Sequence, residues 1–426
     1  MRPPIACLFL VSGLLNAQEP GAVNPLLAGR DQTEAFRVSD SIYAAFGFGN
    51  TFLLRTPEGN LVIDTSMRPV AVRHKKLLQA VDAGPVKYII LTHGHGDHRG
   101  GVEVWRQAGT TVIAQNHYVE MLHYQARLAG FFAARNAAQF GALIAGASAG
   151  PAASGNYSAK IDADLLFDKR HDFSHGGVRF EIHHTPGETP DALSVWAPQW
   201  KAAFVGDNYY ESFPNIYTLR GTKARWALDY VESLNKVLVW EPEILLPSHG
   251  RPLTGKAAIR QAIERYRDAI LHVHDATVRG MNEGKDVFTL MREIRLPQKL
   301  AVGEGYGNLP WSVRGIYEGY AGWFDGNPSS MFAVPASSIL PELVGMAGGP
   351  AAAVARAHKA IEEGRHVEAL HWADAALAAD GAHRLALQAK IAALEALSGK
   401  SVNSNERGWL DFGIRESRRR LSAPPP

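Results

Sequence analysis

Along the first 250 residues apolar positions come in short blocks, and after that they recur at helical spacing. From Phe36 to Pro252 β-rich runs are divided by polar or helical stretches. SIYAAFGFGNTFLLRTPEGNLVIDT predicts strands broken at Gly47–Asn50 and at the turn signal PEGN. VKYIILTH is a nearly continuous apolar run, as expected of a strand buried on both faces. TTVIAQ, VRFEIHHT, ALSVWAP, KAAFVGD and EILLPSH read as further strands. The pattern predicts an α/β fold whose polar clusters sit at strand C-terminal ends, where loops gather them. Strand signals stop after RPLTGKAAIRQAIERY, and helical periodicity runs through VRGIYEGYAGWF and residues 351–398. That last stretch reads as one helical hairpin plus part of another, too few for a solenoid. A domain boundary is expected near residue 262, and 426 residues suit two or three domains.

Met121 to Gly155 breaks the alternation. It is rich in Ala and Gly, carries Phe131, Phe132 and Phe140, and ends in GASAGPAASG. Two readings stand: a helix packed on the sheet, or an apolar flap beside the site.

The N-terminus has Arg2, an apolar run from Ile5 to Leu15, then Asn16-Ala17-Gln18. That is the order of a signal peptide over residues 1–17, cleaved after Ala17, and it predicts a periplasmic or secreted protein. The run is too short to span a bilayer, and no membrane anchor is expected. Cys7, the only cysteine, lies inside it, so a mature chain has neither disulfides nor cysteine metal ligands. A net charge of +2 gives no reason to expect a nucleic-acid partner. Residues 421–426 read as a disordered tail.

LTHGHGDHRGG carries the chemistry. His93 and His95 flank Gly94 at alternate positions, so both can face one side of a strand end. Asp97 and His98 follow on a turn allowed by Gly96 and by Gly100-Gly101. The two pairs can address two metals. Each zinc needs about four ligands, with one position open for chemistry. The same strand-end logic nominates Glu188 after HTPGETPD, Asp207 after AAFVG and His249 in EILLPSHGRP.

THGHGDH, TPGE, VGDN and PSHGRP, in this order, resemble the metallo-β-lactamase fold, which implies an αββα sandwich. The resemblance implies His93, His95 and Glu188 on a first metal, Asp97, His98 and His249 on a second, and Asp207 bridging. Glu in place of the commoner His after TPG resembles the zinc-dependent alkyl sulfatases, as do NIYTLRG, YEGYAGWFDGNP and ERGWLDFGIRESRR. This likeness covers roughly residues 36–420. It implies a catalytic domain over 24–262, an all-α dimerisation domain over 263–420, a homodimer and two Zn²⁺ per chain. The expected activity is hydrolysis of alkyl-type sulfate esters, with Asn215, Thr218 and Arg220 binding the sulfate. Asp97, Asp207 and Arg220 form the expected catalytic set: Asp207 holds hydroxide between the metals, and Arg220 stabilises developing charge. Three carboxylates and a hydroxide against two Zn²⁺ make the expected site near neutral.

Two departures accompany the likeness. The histidine that the family carries shortly before YEGYAGWFDGNP, a proposed proton donor, is replaced by Trp311 or a neighbour. Either a good leaving group then needs no acid, or Tyr209, Tyr306 or a metal-bound water serves, or the ester is a different one. The family's additional lipid-carrier-like C-terminal domain has no counterpart in this sequence, which weakens a long-chain detergent substrate. The same metal core also suits another ester, a lactone, a phosphoester or a β-lactam. A helix-hairpin interaction protein with a degenerate enzyme half is a third reading, opposed by seven competent ligand positions. His183 and His184 read as structural, as do His272 and His274 on a surface helix, and His117 and His123 as uncommitted. Tyr317, Tyr320, Trp323 and Phe324, at helical spacing, read as domain-interface or dimer core.

Overall fold

The computed structural model describes residue 26, residues 28–29, 31–144, 159–332 and 334–423. The expected signal peptide, the GASAGPAASG loop and the last three residues of the expected tail lie outside them.

Seven strands form the first sheet: β1 (Phe36–Arg37), β2 (Ile42–Ala45), β3 (Thr51–Leu54), β4 (Asn60–Ile63), β5 (Val86–Ile90), β6 (Thr111–Gln115) and β7 (Leu165–Phe167). They lie in sequence order, antiparallel as far as β4 and parallel from there. The second sheet runs in the reverse order, from β13 (Leu253–Thr254) through β12 (Ile244–Pro247), β11 (Ala202–Gly206), β10 (Leu193–Ala197) and β9 (Val178–His184) to β8 (Arg170–His175). Only β11 and β12 run parallel in it.

Period-2 alternation explains the apolar runs. Phe52 and Leu54 of β3 point between the sheets, where Phe204 of β11 meets Phe52 at 5.4 Å, whereas Leu53 points outward. Ile90 and Ile113 face inward; Ile89 and Val112 face Leu78 of α1 (Arg68–Gln79), Trp105 of α3 (Val102–Trp105) and Leu122 of α4 (His117–Arg127). On the far side Ala203, Val205 and Leu245 meet α6 (Ala227–Val239), α7 (Lys256–Asn282) and α9 (Leu309–Ala321). Helices thus cover both outer faces, giving the expected αββα sandwich. β8, RHDFSH, carries no apolar run; it is the edge strand of its sheet and exposes Arg170, Asp172 and Ser174.

After α7 the chain is helical: α8 (Val287–Glu293), α9, α10 (Ala336–Met346), α11 (Gly349–Glu362), α12 (His366–Ala379), α13 (Arg384–Lys400) and α14 (Ser404–Ser422). The boundary expected near residue 262 falls inside α7, whose Ile259, Ile263, Tyr266 and Ile270 pack on the second sheet's side of the molecule. α11 to α13 touch through alanines, among them Ala357, Ala373 and Ala389, which lets their backbones approach closely. His274 is buried rather than on a surface, with Nε2 2.9 Å from the Tyr320 hydroxyl. Among the described residues no single helix is long and apolar enough to cross a membrane.

The insertion forms α4 and α5 (Ala129–Ile144). α5 packs on α14, where a Cβ on Gly408 would lie 1.9 Å from the Gln139 carbonyl oxygen. Phe132 of α5 lies under the Arg220 guanidinium, and Phe140 meets Phe48, whose ring neighbours His249. The helix therefore lies beside the site, clamped by the C-terminal helix.

Candidate metal centre

All seven nominated side chains converge. His93 and His95 follow β5; Asp97 and His98 sit in the single turn α2 (Gly96–Arg99); Glu188 lies between β9 and β10; Asp207 and His249 follow β11 and β12. Asp97, His98 and His249 form one cluster of facing ligand atoms, His95, Glu188 and Asp207 another, and His93, His98 and Asp207 a third. Asp207 Oδ2 lies 3.1 Å from His249 Nε2, 3.4 Å from His98 Nε2 and 3.8 Å from His93 Nε2. That is a bridging position. His93 Nε2 is 2.9 Å from His95 Nδ1, which is 3.8 Å from Glu188 Oε1.

A metal fits this arrangement. Ligands about 2.0–2.1 Å from a tetrahedral ion lie roughly 3.4 Å from one another. His98 Nε2 is 3.4 Å from Asp97 Oδ2, and His249 Nε2 is 3.5 Å from it. Among the buried polar atoms, His98 Nε2 and Asp207 Oδ1 have no hydrogen-bond partner. Burial takes the His93 imidazole down to about 3, so it presents a lone pair. Burial also opposes charge on His98, but Asp207, Asp97 and Asp64 outweigh it and raise that imidazole well above its usual value.

The scaffold explains why the motifs occur together. Gly101 is required by close approach: its Cβ would lie 2.3 Å from the Thr65 carbonyl oxygen. Gly96 meets nothing within 4 Å, so the turn does not depend on it in the way expected. In TPGE and VGDN, Asn208 accepts from Glu188 N at 3.3 Å and donates to Thr185 O at 2.6 Å. A Cβ on Gly187 would sit 2.4 Å from Asn208 Oδ1. Asn50 Nδ2 donates to Pro247 O and Gly250 O, bracketing His249.

Four functional neighbours escaped the sequence reading. Asp64, fully buried at a left-handed φ of 55°, accepts from Thr92 N, Thr92 Oγ1 and Ser248 Oγ at 2.7–2.8 Å and lies 2.9 Å from His98 Nδ1. It fixes the imidazole so that Nε2 faces the other ligands. Arg225, buried, places Nη1 2.5 Å from Glu188 Oε1 and donates to Asn215 O. Tyr230 donates to Glu188 Oε2 at 2.9 Å. The charge count changes with Arg225: its cation offsets Glu188, so the centre is about one unit more positive than expected. Asn208 is the fourth.

Asn215 and Thr218 are buried, and Arg220 extends Nη2 to 3.3 Å from His95 Nε2. Of the two tyrosines, Tyr209 packs on Tyr266 and is perturbed by burial, Glu211 and Arg265, so it faces away from the ligands. Tyr306 does face them: burial, then Glu188, raise its phenol, while Arg220 and Arg225 pull it down. Trp311 occupies the first turn of α9, its backbone N–H donating to the Oδ1 of Asn308, the helix's N-cap. His183 lies 3.5 Å from Glu181 and His184 bonds Pro190 O, both outside the cluster.

Family comparisons agree with this geometry. Residues 44–249 match the metallo-beta-lactamase superfamily and residues 289–420 match alkyl sulfatase dimerisation. A linear primary-alkylsulfatase of a Pseudomonas species is 29% identical over 84% of this chain and 72% of its own length. An alkyl/aryl-sulfatase of Saccharomyces cerevisiae is 26% identical over 95% of this chain and 68% of its own. A solved stereoselective inverting sec-alkylsulfatase from Pseudomonas superposes with a TM-score of 0.81 at 22% identity, over 92% of this chain. This chain spans 66% of the length of that structure. The chain thus joins a domain of the metal-dependent metallo-beta-lactamase superfamily to an alkyl sulfatase dimerisation domain. Along most of its length it is similar to alkylsulfatases, hydrolases that act on sulfuric esters.

Proposed function

We propose that this protein hydrolyses alkyl-type sulfate esters at a dinuclear zinc centre held by His93, His95, Asp97, His98, Glu188, Asp207 and His249. When bound, the zinc pair lowers the pKa of water and supplies hydroxide at neutral pH. One observation carries the sulfate reading. His95 turns Nδ1 toward His93 and Glu188, and Nε2 toward Arg220. A ligand on Nδ1 leaves the proton on Nε2, so two donors then point at one another across 3.3 Å. An anionic oxygen between them satisfies both, and the Arg220 fork suits a tetrahedral oxyanion. Asn215 and Thr218, on the same loop, complete the anion site. Arg220 then opposes the charge that builds on the sulfate as the ester breaks.

Phosphoesters share the tetrahedral oxyanion and are the second reading. We also propose a homodimer through the apolar residues that the folded chain leaves exposed after α9: Trp323 is 74% exposed, Phe332 77% and Met346 87%. Such a patch suits association. Export rests on the Arg2, Ile5–Leu15 and Ala17 pattern and on the lack of any cysteine after Cys7.

Sulfate release from short and long alkyl sulfates, with zinc counted per chain, tests the reading. Release should require zinc and fall by about 100-fold or more in Arg220→Ala, with metal content unchanged. No release from a protein carrying two zinc per chain would transfer the proposal to phosphoesters, lactones or β-lactams.

A further inference from the structure

Thr218 Oγ1 accepts a hydrogen bond from Gln139 Nε2 of α5 at 3.2 Å. The direction of that bond is decided elsewhere. Trp409 Nε1, which can only donate, points at Gln139 Oε1 from α14 at 3.1 Å. The amide is thereby oriented, and its Nε2 also donates to Asn405 Oδ1 at 2.9 Å. Asn405 is oriented in turn, because its Nδ2 donates to the Tyr306 carbonyl at 2.9 Å. Every member is buried or half-buried, so solvent does not scramble the sequence of donors and acceptors. Thr218 receives a donor, and among the described residues no acceptor takes its own hydroxyl proton.

Two further contacts brace the same loop. Arg135 of α5 donates to Leu219 O and to Arg220 O, the latter at 2.8 Å, and its guanidinium lies over the rings of Phe131 and Trp409, each at 5.1 Å.

We infer that Gln139, oriented by Trp409 and Asn405 of the C-terminal helix, is a positioning residue that leaves the Thr218 hydroxyl free to donate to the bound anion. The helical domain then sets the affinity of the anion site as well as assembling subunits. This rests on the sulfate reading above. A hydroxyl held as acceptor on one side has its proton directed to the other, which an oxyanion needs and a neutral carbonyl-poor ligand does not.

The test uses the zinc-loaded full chain and inorganic sulfate as probe, followed by calorimetry and as an inhibitor of ester turnover. Gln139→Met keeps volume and removes the donor; Trp409→Phe keeps the ring over Arg135 and removes only the N–H. We expect Gln139→Met to weaken sulfate binding about tenfold, the worth of one hydrogen bond to a charged group, and to raise KM with kcat little changed. Trp409→Phe should act in the same direction and less strongly, and Thr218→Ser should keep wild-type affinity. In a Thr218→Val background Gln139→Met should add nothing, because the two act through one hydroxyl. Unchanged sulfate affinity in both Gln139→Met and Trp409→Phe, or a full Gln139 effect in the Val background, overturns the inference. Failure of wild-type holoprotein to bind sulfate overturns the proposed function instead. Should Gln139→Met not fold, Trp409→Phe decides, alone and in the Thr218→Val background: unchanged sulfate affinity overturns the inference.

Discussion

The two sides of the metal centre are surrounded by opposite charges. Next to Asp97, His98 and His249 the buried neighbour is Asp64, an acceptor shared by Thr92, Ser248 and His98. Next to His95 and Glu188 the neighbours are donors: Arg225, Tyr230 and Arg220. Ligand types alone do not separate the sides, since each has histidine and carboxylate. The difference lies one layer out. In the proposed function an anionic substrate is drawn to the donor side, and the acceptor side would hold its imidazoles to a metal. The donor side also contains a charge swap: Glu188 with Arg225 sums to zero, as a lone histidine would.

The largest effect should come from breaking that swap. Glu188→His leaves Arg225 a buried cation without its carboxylate, and Arg225→Leu leaves Glu188 a buried anion. Each single change should cost about 3–5 kcal/mol of stability, the usual penalty for orphaning one partner of a buried pair. The double variant should be markedly better than the sum, because neither orphan remains. Thermal unfolding of the four proteins, in chelator and in zinc, measures the coupling. Strict additivity would show that Arg225 is not Glu188's counter-charge.

The acceptor side is tested by Asp64→Asn. Shape is kept, but the charge that orients His98 is lost, so zinc affinity should fall about 10–100-fold. The loss should fall on one metal of the two, because Asp64 bonds no ligand of the His95–Glu188 side. Stepwise zinc removal with a chelator reads this: the mutant should release one ion early. Simultaneous loss of both would mean that the sides are not independent.

The candidate ligands were legible because they share one local signature, a polar residue ending an apolar strand, repeated at His93, Asp207 and His249. Asp64 ends β4, NLVI, in the same way and could have been found by that rule. Arg225 and Gln139 could not. Neither stands in a pattern, and each takes its meaning from a partner far along the chain: Glu188 precedes Arg225 by 37 positions, and Trp409 lies 270 from Gln139. The same limit hid strand β8, whose polar sequence pairs only because β9 supplies the apolar face. Helix α7 shows the opposite case. Its periodicity was plain, but nothing local announces that one helix serves both halves.

The smallest effect separates scaffold from centre. His74 on α1 is fully buried, its Nε2 3.0 Å from Phe46 O and its Nδ1 3.0 Å from Thr51 Oγ1. It supports the loop on which Gly49 lies against the Asp97 backbone, where a Cβ would be 2.0 Å from the carbonyl oxygen. Burial lowers its pKa to about 3; the Phe46 carbonyl opposes this and Arg73 adds to it. The folded-state value is thus below the unfolded one, near 6.5. The unfolded chain binds the extra proton, so this contribution is complete above pH 6.5 and shrinks as pH falls toward 3, by about 1.4 kcal/mol per unit. His74→Gln does not titrate there. Its stability deficit should be constant between pH 7 and 8 and should narrow by roughly 1 kcal/mol between pH 6.5 and 5.5. Comparing the two proteins in chelator cancels the titration of the shared metal ligands. A deficit independent of pH would mean that His74 takes up its proton in the folded chain as readily as in the unfolded one, and the loop beneath Asp97 would then have to hold a cation that its two neutral partners do not balance.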